Sequence, residues 1–138
     1  MSKSIQDPLS LIGRLLMAWL FLPAGIGKLL GFTGTVAYIA SAGLPLPAVG
    51  AVIALLVEIF GGLALILGFQ IRIAAIILAI FTVAASIFFH AYWAVPADQQ
   101  MVTQLLFNKN VAVAGGLLLV AALGAGGWSL DARRAGKN

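Results

Sequence analysis

The sequence has no cysteine, one histidine and only four acidic residues. Without thiols the chain itself can form no disulfide, thiolate metal site, iron–sulfur cluster or dithiol redox pair. A single histidine, His90, cannot supply both axial ligands of a bis-histidine haem. No metal site is expected, and no covalently bound cofactor. Charged residues make up 9% of the 138 residues, whereas soluble domains carry about 25%. Such a chain lacks the polar groups to cover a water-facing surface. No P-loop or dinucleotide fingerprint is present, and no Ser or Thr nucleophile stands beside a base. The net charge of +4 would suggest nucleic acid in a soluble protein, but no basic patch is interleaved with aromatics, so no nucleic-acid partner is expected.

What the sequence does have is apolar length, 62% of it hydrophobic. Four runs approach or exceed the ~20 residues that cross a bilayer as a helix: Leu9–Leu30, Ala48–Phe69, Ile71–Trp93 and about Asn108–Trp128. The expected fold is an all-α, integral membrane four-helix bundle, one domain over residues 1–138, with no internal repeat. Met1–Pro8 is polar and is expected in water or frayed. The first run is longer than the 7–15 residues of a signal-peptide core, so it reads as a retained helix, kinked at Pro23. Between the first two spans, Thr33 is placed to cap a short helix that stops at Gly43-Leu44-Pro45. The segment 33–42 is expected to lie in the membrane interface, with Val36, Ile39 and Ala40 on its apolar face and Tyr38 at headgroup level. Gln70 and Arg72 mark a tight turn. Phe88, Phe89, His90, Tyr92 and Trp93 form an aromatic cluster suited to the interface. Ala94–Phe107 reads as a polar connection, Asn108 and Asn110 as caps of the fourth helix, and Ser129–Asn138 as a hydrophilic tail. Ala64-xxx-Gly68 and Gly115–Gly116 are small-residue faces for helix contact.

An even number of spans puts both termini on one side. That side collects Lys3, Arg14, Arg72, Arg133, Arg134 and Lys137, and the other has Lys28 and Lys109, six against two of the eight Lys and Arg residues. The positive-inside rule then gives cytoplasmic termini in a bacterial inner membrane.

The second span carries one carboxylate, Glu58, near its middle. An ionised carboxylate at the bilayer centre costs ~2.5 kcal/mol or more, so Glu58 is expected to face the bundle, with a partner, a proton or a wet cavity. Lys28, His90 and Lys109 fall near the outer ends of their helices, and Glu58 lies roughly 10 Å deeper by helical rise. Arg14 lies roughly 9 Å from Glu58 toward the cytoplasmic end. Glu58, His90, Lys28, Lys109 and Arg14 are therefore the candidates for binding or proton handling. The bases also fit snorkelling to headgroups, and His90 the aromatic belt.

Several motifs then line up in order along Leu11–Asp131. They are Gly27-Lys28, Gly43-Leu44-Pro45, Glu58 with Gly61-Gly62, Gly68 with Arg72-Ile73-Ala74-Ala75, and Phe89-His90. Phe107-Asn108-Lys109-Asn110, Gly115-Gly116, Gly124-Ala125-Gly126 and Ser129-Leu130-Asp131 follow. In this series the chain resembles the DoxX family of small bacterial inner-membrane proteins. The resemblance implies a four-helix membrane bundle and, by analogy with members tied to membrane redox systems, an accessory subunit of a quinone-linked complex. Glu58 and His90 would then offer an acid and a base to a quinone head. Two other readings remain open: a small proton-coupled carrier, which would need a homo-oligomer, and a structural or partner-binding protein with no catalytic activity. The lipid bilayer is a partner in all three.

Overall fold

The computed structural model describes residues 2–136, so Lys137, counted above with the basic end, lies outside the described residues. The chain forms α1 (Lys3–Leu30), α2 (Phe32–Ser41), α3 (Pro47–Leu67), α4 (Ile71–Phe89), α5 (Ala97–Leu123) and α6 (Leu130–Ala135), with a 3-10 turn at Tyr92–Ala94. Helices α1, α3, α4 and α5 are long and apolar enough to cross a membrane. At ~1.5 Å per residue, the 21 residues of α3 span roughly 31 Å, the thickness of a hydrocarbon core. The fold is the all-α membrane bundle expected from the apolar runs.

Several boundaries differ from the sequence expectation, among them the end of α4, which stops at Phe89 rather than Trp93. α1 starts at Lys3, so residues Lys3 to Pro8 are helical and not frayed. α5 starts at Ala97, directly after Pro96, and ends at Leu123. The stretch 97–107 is therefore not a connection but the first three turns of the fourth long helix. Hydropathy marks where a helix is in lipid, not where it is helical, and Gln99, Gln100, Met101, Gln104 and Leu105 are all good helix formers. The tail also contains α6, whose N-cap Ser129 accepts a hydrogen bond from the Ala132 amide at 3.1 Å. α2 forms as a short helix, but Thr33 does not cap it: the N-cap is Gly31, with no side-chain hydrogen bond.

α1 packs along α3 and α4 along α5, with α3 touching α4 and α2 lying against α3. The buried faces are rich in small and polar residues. On α1 the buried residues are Arg14, Ala18, Phe21 and Gly25, and on α3 Ala51, Ala54, Leu55, Glu58, Gly61, Gly62 and Leu65. Large apolar side chains point outward instead, among them Trp19, Leu30, Phe60, Ile80 and Leu123. That inversion suits lipid, where close packing of small residues replaces the hydrophobic drive. The close approaches run through Gly25, Gly61 and Gly62: a Cβ on Gly61 would meet Leu78 of α4 at 2.7 Å, and one on Gly62 would meet Leu22 of α1 at 2.9 Å. Of the faces named from sequence, Gly116 lies against Met17, while Gly115 faces open space and Gly68 ends α3 in a left-handed conformation (φ 62°).

The end of the bundle holding both chain ends is tied by charged groups on backbone. Arg14 donates to Leu65 O at 2.8 Å, Ile66 O at 3.1 Å and Trp128 O at 2.6 Å, filling carbonyls at the C-terminus of α3. Arg72 does the same for α5 through Ala121 O and Ala122 O, at 2.8 and 2.7 Å. Asp131 accepts from the amides of Gln70 and Ile71, capping α4 from across the bundle, and Asp7 accepts from the Gly127 amide. Arg14, Arg72 and Asp131 sit where the helix dipole favours their sign, and Asp7 ties α1 to the loop between α5 and α6.

Candidate functional site

The other end of the bundle holds the candidate site. On α1 the buried face recurs at Arg14, Ala18, Phe21 and Gly25, three or four residues apart. Lys28 continues that stripe one turn later. Because Gly25 lets α1 close onto α3, the long stem of Lys28 reaches down to Glu58. Its Nζ donates to Glu58 Oε1 at 2.9 Å and Oε2 at 2.7 Å. Glu58 is 7% exposed, while the Lys28 side chain keeps 30% of its surface exposed. This is the one ion pair among the described residues. It removes the cost of a lone carboxylate in the span, the problem the sequence poses at this position.

The pair lies in the lining of a cavity of about 360 Å³ bounded by all of α1 to α5. Leu20, Phe21, Ala54, Phe81, Ala85 and Phe88 give it apolar walls. Lys28, Glu58, Thr82, His90, Lys109 and Asn110 give it polar points. Thr82 is already bonded to Leu78 O at 2.7 Å, so its hydroxyl proton is taken by its own helix. Tyr38 of α2 stacks on Phe89 of α4, ring centroids 5.1 Å apart and planes 21° from parallel, and both line the cavity. Tyr92, Trp93 and Phe107 form an edge-to-face cluster with centroids 5.1 to 5.6 Å apart, which ties the 3-10 turn after α4 to the third turn of α5. Few convergent polar groups in a concave apolar space is the usual form of a small-molecule site.

Of the five sequence candidates, four meet here: Glu58, Lys28, His90 and Lys109. Arg14 does not. The expectation that it could reach Glu58 is corrected by its contacts, since all three of its hydrogen bonds go to carbonyls at the opposite end of α3 and at Trp128. An arginine buried to 1% exposure among helix-end carbonyls is a structural lock. Asn110 is a residue that sequence reasoning misassigned. It is not a cap but the fourteenth residue of α5, 9% exposed and lining the cavity. A signal for it was present: Asn110, Ala114, Leu117 and Ala121 repeat at helical spacing as the buried stripe of α5.

Four long apolar helices, large apolar side chains on the outside and an ion pair turned inward define a multi-pass α-helical membrane protein. The DoxX family model matches residues 9–91, and the chain belongs to the DoxX family. It is 38% identical over 125 residues to inner membrane protein YphA of Escherichia coli, covering 91% of this chain and 89% of that one. It is 39% identical over 132 residues to inner membrane protein YqjF of the same organism, covering 94% of each. A shorter stretch of 68 residues, 48% of this chain, is 29% identical to a Surfeit locus protein 4 homolog of Drosophila melanogaster and covers 25% of its length. No solved structure matches the chain. The protein is thus a multi-pass bacterial inner-membrane protein of the DoxX family, and its matched segment contains Lys28, Glu58 and His90.

Proposed function

We propose that this protein is an accessory subunit of a membrane redox complex and that its cavity receives the head of an amphiphilic ligand of the quinone class. One observation carries the reading: the Lys28–Glu58 pair faces an apolar cavity that His90, Lys109 and Asn110 also line. A quinone head is a flat ring with oxygen acceptors on opposite edges. Donors from Lys28 and Asn110 suit those oxygens, and Phe21, Phe81 and Phe88 suit the ring. Such a ligand carries electrons together with protons through the membrane plane. This chain's part is to hold the head, keep water from it and set the hydrogen bonds at its oxygens. The chain has no cysteine and one histidine, so the electron-donating centre is assigned to a partner subunit. Partner subunits, or a second copy, would meet the chain within the bilayer, where Leu56, Phe60 and Ile73 line an apolar groove between α3 and α4. The same proposal places both termini in the cytoplasm, on the six-to-two excess of basic residues at that end, and opens the cavity toward the periplasmic face.

The test is purification of the full chain in a mild nonionic detergent, followed by mass spectrometry of the proteins and lipids retained. The expected result is a quinone and one or more redox subunits, with quinone lost from Glu58→Gln while the fold survives. Retention of neither by the wild-type protein overturns the reading, and solute flux through proteoliposomes in their absence would favour a carrier.

A further inference from the structure

The charges around the cavity do not balance. Lys28 and Glu58 neutralise each other, with both carboxylate oxygens engaged. Lys109 also lines the cavity, and it makes no ion pair among the described residues. The chain has four acids, and the other three are elsewhere. Asp7 and Asp131 accept from backbone amides at the opposite end of the bundle. Asp98 stands eleven residues before Lys109 on α5, roughly 16 Å away by helical rise. The remaining groups at the cavity are neutral or basic: Thr35 and Tyr38 from α2, Thr82 and His90 from α4, and Asn110 from α5. Lys109, the thirteenth residue of α5, is exposed at the edge of this apolar space, and its positive charge has no acid partner among the described residues.

We propose that the cavity selects an amphiphile whose head carries a single negative charge, with that charge set against Lys109. The inference rests on the reading of the cavity as a ligand site and narrows it to acidic heads, such as an ionised enol, phenol or carboxylic acid on an apolar body. The walls recognise the body. Lys109, with His90 and Asn110 beside it on the lining, recognises the head, and the Lys28–Glu58 pair, neutral as a unit, adds no second net positive charge. The apolar walls lower the dielectric on the cavity side of Lys109, which strengthens the attraction relative to bulk water.

The probe is a matched pair: a 2-alkyl-3-hydroxy-1,4-naphthoquinone, ionised at neutral pH, and its uncharged methyl ether. Binding of each is measured by thermal shift and equilibrium titration on the full chain in maltoside micelles, for the wild type and for Lys109→Gln. Comparing the two proteins in one detergent cancels the different partition of the probes into micelles. Lys109 is exposed, so the variant is expected to fold. The ionised probe should bind the wild type roughly tenfold more tightly than Lys109→Gln, the ether should bind both alike, and Lys109→Arg should behave as the wild type. Added inorganic phosphate should not displace the probe, because it brings no apolar body. If Lys109→Gln weakens both probes equally or neither, the charge selection is overturned while the cavity remains a ligand site. Displacement by phosphate overturns the amphiphile. If neither probe binds the wild type, the reading of the cavity as a ligand site falls as well.

Discussion

Gly25 stands one helical turn before Lys28 on the same face of α1, and that spacing is what brings the Lys28 ammonium to Glu58. A Cβ on Gly25 would lie 2.9 Å from the backbone nitrogen of Ile59 and 3.0 Å from the Cβ of Glu58. The nearest atom of all would be Ile59 Cγ1, at 2.7 Å, so α3 lies directly against the bare Gly25 backbone. Lys28 and Glu58 thus share a small patch of interface that the missing side chain creates. The sequence motif Gly27-Lys28 has its second residue in the site, but the glycine that matters is two positions earlier.

Gly25→Ala should therefore destabilise the protein by about 1–3 kcal/mol, since the added methyl meets Ile59 Cγ1 and also the Ile59 backbone nitrogen, which cannot yield without moving a helix. Gly27→Ala is the control: a Cβ there has nothing within 4 Å, and alanine is the better helix former by about 1 kcal/mol in water. Thermal unfolding in detergent should show a drop for the first and little change or a rise for the second. Equal effects would remove Gly25 from the α1–α3 contact.

The ion pair should respond unequally to loss of either partner. Lys28→Met strands a carboxylate that is 7% exposed, and breaking a buried pair in this way costs about 3–5 kcal/mol. Glu58→Gln leaves a lysine that is partly exposed near the end of its helix and can turn toward headgroups, so its cost should be about 1–2 kcal/mol. The double variant should be more stable than Lys28→Met alone. A double-mutant cycle on unfolding free energies measures the coupling, and additive losses would mean that the pair contributes nothing.

The four spans were legible because apolar runs of membrane length are rare in soluble chains, and Glu58 was legible because a charge inside such a run is conspicuous. Pairing was less so. Lys28 and Glu58 differ in depth by several residues' rise, and only a close approach at Gly25 lets one stem cross the gap. Arg14 was misplaced for the same reason: distance along the membrane normal says nothing about which carbonyls a guanidinium meets. The start of α5 was missed because hydropathy falls where helix propensity does not. Asn110 was then read as a cap for a helix already three turns old. A search for small and polar residues at helical spacing, rather than for apolar ones, would have found the buried stripes.

Arg14 is the structural counterpart of Lys28 at the other end of the same helix face. Its three charge-assisted hydrogen bonds hold α1 to the end of α3 and to Trp128. Arg14→Ala would leave one buried and two part-buried carbonyls with one donor fewer each, at a cost of about 2–4 kcal/mol in total. Arg14→Lys should recover only part of this, because an ammonium cannot reach three carbonyls in a planar fork. Ligand binding at the cavity, measured below the unfolding transition, should be unchanged in the lysine variant. A loss of binding without a loss of stability would put Arg14 back among the functional residues.

The orientation of the whole bundle is open to a direct test, and the structure alters which charges decide it. In the folded protein Arg14 and Arg72 are spent on helix-end carbonyls, while Lys3, Arg133 and Arg134 at the terminal end make no such bonds, although Arg134 lies over the Phe69 ring at 4.5 Å. Topology, however, is set as the helices insert, before such caps form, so all six basic residues of that end act on it. A reporter active only in the periplasm, fused after Asn138, should therefore give no signal, and one inserted before Ala97, where the chain is exposed next to Pro96, should give one. Removing the charge from Arg14 and Arg72 would unfold the terminal end and confuse the result, so the sensitive variant is Lys3→Gln with Arg133→Gln and Arg134→Gln. It lowers the bias from six against two to three against two without touching a cap, and should yield a mixed population of orientations. A periplasmic signal from the wild-type C-terminal fusion would reverse the assignment. The cavity with Lys28, Glu58, His90 and Lys109 would then open to the cytoplasm.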